Sequence, residues 1–301
     1  MRKYFGTDGI RRIANTELSP ELVYRVAKAG AYVLSKHSKK APTILIGRDT
    51  RLSGTLIESA MVAGFLSYGA NVKLLGVIPT PGVAYLTRKL QADASVVISA
   101  SHNTYEFNGI KYFSNKGMKI PDDVEEEIEE VMDSGKLDEL SAVSEKIGVS
   151  EVSTDLLDEY VYFFRKNFDD NIARLNRPDF KVVIDTANGA TYQVADKVFT
   201  TLGINHVIIN NKPDGININA GCGSTHLEML KEYVVKNKMS LGIAYDGDGD
   251  RCLAVDENGE EIDGDKLLAI ISQYLRKQGK LAKDTIVATV MSNLGLNKFA
   301  E

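Results

Sequence analysis

Thr43-Ile44-Leu45-Ile46-Gly47-Arg48-Asp49-Thr50-Arg51-Leu52-Ser53-Gly54 decides the fold class. Residues 43–47 are short, apolar and β-rich, so they read as a buried strand. Arg48–Gly54 forms a loop, and a helix is expected from Leu56 to Tyr68. The same alternation continues outward. Asn71–Gly76 reads as a strand, and Pro79-Thr80-Pro81 opens a helix with Pro81 in its first turn, where proline is tolerated. Ala94–Ser99 and Ile110–Ser114 read as further strands. From Lys181 the unit returns: KVVID as a strand, TANGA as a turn and Tyr192–Leu202 as a helix. Strands follow at Asn205–Asn210, Leu241–Tyr245 and Cys252–Asp256, with helices at Thr225–Asn237 and from about Asp265 to Lys277. Thr285–Met291 reads as a last strand leading into SNLGL. Apolar strands separated by amphipathic helices make this an α/β chain with three related units. The charge-rich stretch 121–150 reads as an acidic, solvated helix followed by a polar connection.

The 301 residues suggest about two domains at roughly 150 residues each. With 44% hydrophobic and 26% charged residues, a disordered chain, a collagen-like repeat and a disulfide scaffold are excluded. The net charge of -5 offers no basic footprint for nucleic acid and no attraction to anionic lipid. Cys222 and Cys252 form no CxxC pair, which argues against zinc and fits a reducing compartment. The start, MRKYFGTDGIRRIANTE, is not a secretory signal, and no apolar run reaches the ~18 residues of a membrane span. A cytoplasmic protein without membrane insertion is therefore expected.

Tyr245-Asp246-Gly247-Asp248-Gly249-Asp250-Arg251 places three carboxylates in alternation with glycine after a strand. The glycines let the backbone fold tightly enough for the carboxylates to converge. Three negative charges in one loop repel unless a cation sits among them, and hard oxygen ligands favour Mg²⁺ or Ca²⁺. A DG-rich surface turn would explain one Asp-Gly pair but not three alternating carboxylates, and an EF-hand is another rival. Glu257 does fall at position twelve from Asp246, but position six, which requires glycine, is Arg251, and the flanks are strands. Arg251 suits an anionic, phosphate-bearing ligand.

Ser99-Ala100-Ser101-His102-Asn103 follows another strand, at the end where α/β sheets bind ligands. It is not the G-x-S-x-G elbow of hydrolases. A phosphorylated serine here would carry roughly -1.5 to -2 charges and would need a metal and cations beside it. His37 reads as solvated, His206 as packed, and His226 as lying near a helix start. Arg48 and Arg51 are expected to pair with carboxylates or line their loop.

Together these segments resemble the α-D-phosphohexomutases. The matching stretches are YFGTDGIR (4–11), IGRDTRLSG (46–54), TPG (80–82), ISASHN (98–103), NGIKYFS (108–114), DTANGA (185–190), DGININAGCGSTHLE (214–228), GIAYDGDGDRCLAVDENG (242–259) and VMSNLGL (290–296). GTDGIR, CGSTH and MSNLGL point to the glucosamine branch of the family. The resemblance implies mixed sheets sandwiched between helices, with domain one over 1–150, domain two over 151–256 and an incomplete domain three over 257–301. It makes Ser101 a phosphoserine. Asp246, Asp248 and Asp250 become Mg²⁺ ligands, with the Ser101 phosphate completing the shell. Arg11, His102, Lys111 and Arg251 become the cationic and acid/base groups around it. Lys111 is preferred over His102 as proton acceptor, which requires a lowered lysine pKa.

The implied reaction interconverts glucosamine 6-phosphate and glucosamine 1-phosphate, with a glucosamine 1,6-bisphosphate-type activator. The implied partners are the sugar phosphate, a second copy through domain one and, in some Gram-positive bacteria, a diadenylate cyclase. Thr104, Phe107 and Arg12 stand where the family usually has proline, aspartate and glycine. The family's GE-x-SGH and R-x-SGTEP loops do not occur, so a fragment inactive by itself is expected. Two alternatives stay open: a non-catalytic interaction module built from mutase domains, and glucose or mannose specificity.

Overall fold

Two mixed sheets organise the described residues, 3–36, 38, 40–167 and 177–301 of a computed structural model. The first contains β1 (Ile10–Ile13), β2 (Thr43–Arg48), β3 (Asn71–Val77), β4 (Ala94–Ile98), β5 (Phe107–Ser114) and β6 (Ser150–Val152). Its order is β1-β5-β4-β2-β3-β6, with β4, β2, β3 and β6 parallel and β5 antiparallel to both neighbours. Strands in such a centre are covered on both faces, which is why β2 and β4 are mostly apolar. Ile44 and Ile46 pack towards α1 (Pro20–Ser35), α2 (Gly54–Tyr68) and α4 (Asp122–Asp133). Leu45 points the other way, towards α3 (Thr80–Lys89) and α5 (Leu156–Asn167).

The second sheet holds β7 (Val182–Asp185), β8 (His206–Ile209), β9 (Leu241–Tyr245), β10 (Cys252–Asp256) and β11 (Glu261–Ile262), in the order β11-β10-β9-β7-β8. Here β8, β7 and β9 are parallel, and β9-β10-β11 run as antiparallel hairpins. α6 (Val194–Thr201) and α7 (Glu228–Asn237) cover opposite faces, and α8 (Gly264–Lys277) and α9 (Leu294–Ala300) follow. No helix among the described residues is long and apolar enough to cross a membrane.

Most of the expected strands and helices form within a few residues of their expected ends. Three differences have physical causes. The stretch before Thr43, for which the sequence reading assigned no element, contains β1 and α1. Ser19 accepts a hydrogen bond from the Leu22 amide and Pro20 occupies the first turn, a standard helix start. Thr285–Met291 is not a strand. A strand's amides need lateral partners, and none pairs with it among the described residues; Val287, Val290 and Met291 are exposed.

The acidic helix, α4, is not simply solvated. Glu125 and Glu129 are buried, and Glu125 pairs with Lys119 at 2.9 Å. Glu129 accepts from the backbone amides of Lys3, Tyr4 and Phe5 at 2.7–2.8 Å. That carboxylate satisfies donors that the chain start would otherwise leave unpaired. The expected boundary at 150/151 falls inside β6, and that at 256/257 falls within the β10–β11 hairpin.

Glu129→Ala should destabilise the protein by about 1–3 kcal/mol in urea unfolding, because it strands a buried donor. The exposed neighbour Glu126→Ala should stay within about 0.5 kcal/mol. Equal effects of the two substitutions would show that the buried carboxylate contributes nothing special.

Candidate active site

The loops that leave the parallel strands of both sheets meet. Thr50, after β2, donates to the Asn188 carbonyl, after β7, at 2.5 Å, and the Leu52 amide donates to the Gly215 carbonyl at 2.9 Å. Between them lies Ser101, 2% exposed. Its Oγ donates to Asp246 Oδ2 at 2.6 Å and accepts from Arg251 Nη2 at 2.6 Å. A loop-to-loop approach this close needs Gly247, where a Cβ would meet the Ser101 carbonyl oxygen at 2.5 Å.

Ser101 has φ +54°, a left-handed conformation that costs a non-glycine residue on the order of 1–3 kcal/mol unless its surroundings hold it. They do. Arg51 Nη2 donates to the carbonyls of Ser101 and Asn103 at 3.0 and 2.8 Å. From the other sheet's side, Asn219 Nδ2 donates to the same two carbonyls at 2.9 and 3.0 Å. Arg51 is anchored by Asp49 at 2.8 Å, with both side chains fully buried. Asp49 also accepts from Ser99 Oγ at 2.6 Å, and Ser99 Oγ accepts from the Ser101 amide at 2.9 Å. Burial pushes the Asp49 carboxyl up, against the pull of Arg51 and Ser99.

Asp246, Asp248 and Asp250 bring one oxygen each to within 4.8 Å of one another. Asp246 and Asp248 are buried, and Asp250 sits at the rim with its side chain 35% exposed. Asp248 Oδ2 accepts from Thr80 Oγ1 at 2.8 Å and Lys111 Nζ at 2.9 Å, while its buried Oδ1 has no partner. An unpartnered buried oxygen beside two more carboxylates fits a hard divalent cation. Burial raises Asp250, and Asp248 and Asp246 add to it, so its pKa is pushed up to about 6. Burial also opposes the charge on Asp248, but Lys111 and Thr80 outweigh it and hold that carboxyl below the usual range.

Lys111 and Arg251 pair with the triad, and Arg11 and His102 lie beside them. Lys111 lies 2.9 Å from Asp248, 3.2 Å from Asp8 and 3.6 Å from Asp250. A lysine acting as proton acceptor would need a lowered pKa. Burial does act to lower it, but these three carboxylates prevail and raise it. Arg11 binds Asp8 and keeps a buried, unpartnered Nε. Arg251 also bonds His102 Nδ1. Burial, then Arg251 and Arg11, lowers the His102 pKa. Arg51 pairs as expected, and Arg48 pairs with Glu58 at 3.4 Å. His206 is partly buried with Nε2 at 3.1 Å from Asp196, His226 is exposed, and His37 lies outside the described residues.

Four site residues escaped the sequence reading: Asp8, Asp49, Thr80 and Asn219. Each lies in a quoted segment, but none shows a spacing that reveals which partner it meets in space.

Residues 2–139, 158–259 and 263–301 match domains I, II and III of the family described as Phosphoglucomutase/phosphomannomutase, alpha/beta/alpha. The chain belongs to this family. The phosphoglucosamine mutase of Acetivibrio thermocellus is 53% identical, over 100% of this chain and 66% of that protein. The phosphoglucosamine mutase of Ruminiclostridium cellulolyticum is 50% identical, with the same coverage of each chain. The chain thus spans about two-thirds of the length of these curated relatives. A phosphoglucomutase/phosphomannomutase family protein from Burkholderia thailandensis superimposes with TM-score 0.78 at 24% identity, over 91% of this chain and 59% of that one. The parafusin (phosphoglucomutase) of Paramecium gives 0.73 at 19%, over 90% and 55%. The expected α/β architecture of several domains, with mixed sheets between helices, is the fold of this family.

Without divalent metal, one site carboxyl should titrate near pH 6, well above the usual aspartate range, and Asp250→Asn should remove that transition from a carbon-13 carboxyl spectrum. The sign follows from linkage. A folded-state pKa above the unfolded one favours folding below the unfolded value and loses that contribution as pH rises through about 6. A spectrum with every carboxyl titrating below pH 5 would contradict the crowding described.

Proposed function

We propose that this chain carries the phosphoryl-donor and metal-binding part of a phosphoglucosamine mutase. One observation carries the reading. In a chain 53% identical to such an enzyme, Ser101 Oγ lies between the Asp246 carboxylate and the Arg251 guanidinium, at the edge of an acidic triad. The reaction is the interconversion of glucosamine 6-phosphate and glucosamine 1-phosphate. Phosphorylated Ser101 gives its phosphoryl group to the free hydroxyl of the sugar phosphate, forming a bisphosphate and leaving the serine oxygen bare. The other phosphate of that bisphosphate then returns to Ser101. A glucosamine 1,6-bisphosphate-type sugar primes the bare serine by the same transfer.

The residues supply what phosphoryl transfer requires. Asp246, Asp248 and Asp250 would hold Mg²⁺, with the Ser101 phosphate as a further ligand. When bound, the ion neutralises charge on the transferred group. Arg251 already reaches the serine oxygen, and Arg11 has a buried N–H free to donate. The proton of the attacking hydroxyl needs an acceptor. His102 and Lys111 are the side chains placed to take it. The His102 imidazole is held towards its neutral form, whereas Lys111 must first be released from the carboxylates that keep its ammonium charged. The partner expectations, a homodimer through domain one and a diadenylate cyclase, rest on the resemblance alone, as does cytoplasmic location.

Ser101→Ala should abolish incorporation of labelled phosphate from a sugar bisphosphate. Undiminished labelling in that variant would place the phosphoryl acceptor elsewhere. Asp248→Asn should weaken Mg²⁺ binding in calorimetry by at least tenfold, since it removes one of three charges from the triad. Identical affinity in the two proteins would remove Asp248 from the ligand set.

A further inference from the structure

We propose that Thr80 is a positioning residue for the metal, so that the first sheet's unit sets the affinity of a site whose carboxylates all lie on the second. This rests on the metal reading above. Thr80 stands in the first turn of α3, and Asp248 lies in the loop after β9. Two bonds join them. The Thr80 amide donates to the Asp248 carbonyl at 2.9 Å, and Thr80 Oγ1 donates to Asp248 Oδ2 at 2.8 Å. Pro79 backs the contact, because Gly249 lies so close that a Cβ there would be 3.2 Å from Pro79 Cβ.

The hydroxyl bond has a chemical consequence. Oδ2 is committed to Thr80 and Lys111, while Oδ1 is buried with no protein partner. The carboxylate is therefore held in one rotation, with a single oxygen left for a cation. Lys111 contributes a full charge as well as direction, whereas Thr80 contributes direction and a neutral dipole. Partners that orient a ligating carboxylate are typically worth about 10–100-fold in metal affinity. A neutral, buried hydroxyl, 7% exposed at the residue level, can be removed without changing the charge of the site.

The test compares Mg²⁺ binding by calorimetry in the full chain and in Thr80→Val, Thr80→Ala and Thr80→Ser. Valine and alanine, which lack the donor, should weaken binding by about 10-fold or more, and serine should stay within about 3-fold of wild type. Thermal midpoints in EDTA give the readout that separates positioning from packing. Loss of this buried bond should lower the metal-free midpoint of Thr80→Ala modestly, and the added stabilisation on Mg²⁺ addition should shrink as well. Wild-type affinity in Thr80→Val and Thr80→Ala would overturn the proposal, as would a serine variant as weak as alanine. If valine fails to fold, the alanine and serine pair still decides. If the wild-type chain shows no Mg²⁺ binding and Asp248→Asn is indistinguishable from it, the metal reading falls and this proposal falls with it.

Discussion

The buried ion pair of Asp49 and Arg51 is the joint on which the site depends. Arg51 spends its guanidinium on four carbonyls, those of Ser101, Asn103, Thr104 and Phe107. The first three belong to the turn between β4 and β5, and the fourth, Phe107, opens β5. A guanidinium is suited to the task because it offers five donors in a fixed plane. The arrangement is costly to disturb: leaving one partner of a buried pair uncompensated typically costs about 3–5 kcal/mol. The left-handed Ser101 persists because the loop around it is over-determined, and its hydroxyl is thereby aimed at the second sheet.

The second constraint is electrostatic. Three carboxylates converge on one small volume, where burial first and their mutual repulsion second raise Asp250. The chain offsets that repulsion from both sides, with Lys111 from the first sheet and Arg251 from the acidic loop itself. Such crowding weakens the fold locally and is the usual mark of a functional site. The groups that relieve it also tie the two sheets together. Asn219, Thr50, Thr80 and Lys111 each bond across the junction. Docking of the two units and assembly of the site are therefore the same event.

Much of this was legible in the sequence. Apolar runs such as TILIG and LGIAY bury both faces of a central strand, and glycine alternating with aspartate has few other uses. The local pattern was a poor guide elsewhere. Thr285–Met291 has the composition of a strand, but strands exist only in pairs, and composition cannot supply a neighbour. The acidic stretch in α4 has the composition of a solvated face, but Glu129 is buried by a partner 124 residues away in the chain, the Phe5 amide.

The sequence by itself determined the α/β alternation, the acidic triad and the serine loop, because each is written in neighbouring residues whose spacing carries the chemistry. Only the tertiary structure decided which charges meet. It surrounded Lys111 with Asp8, Asp248 and Asp250, so that its pKa moves up instead of down, and it recruited Thr80, Asn219 and Asp49. The reason is physical. Electrostatic and hydrogen-bond energies depend on distances of a few ångströms between groups far apart in the chain, and those distances exist only after the sheets have packed.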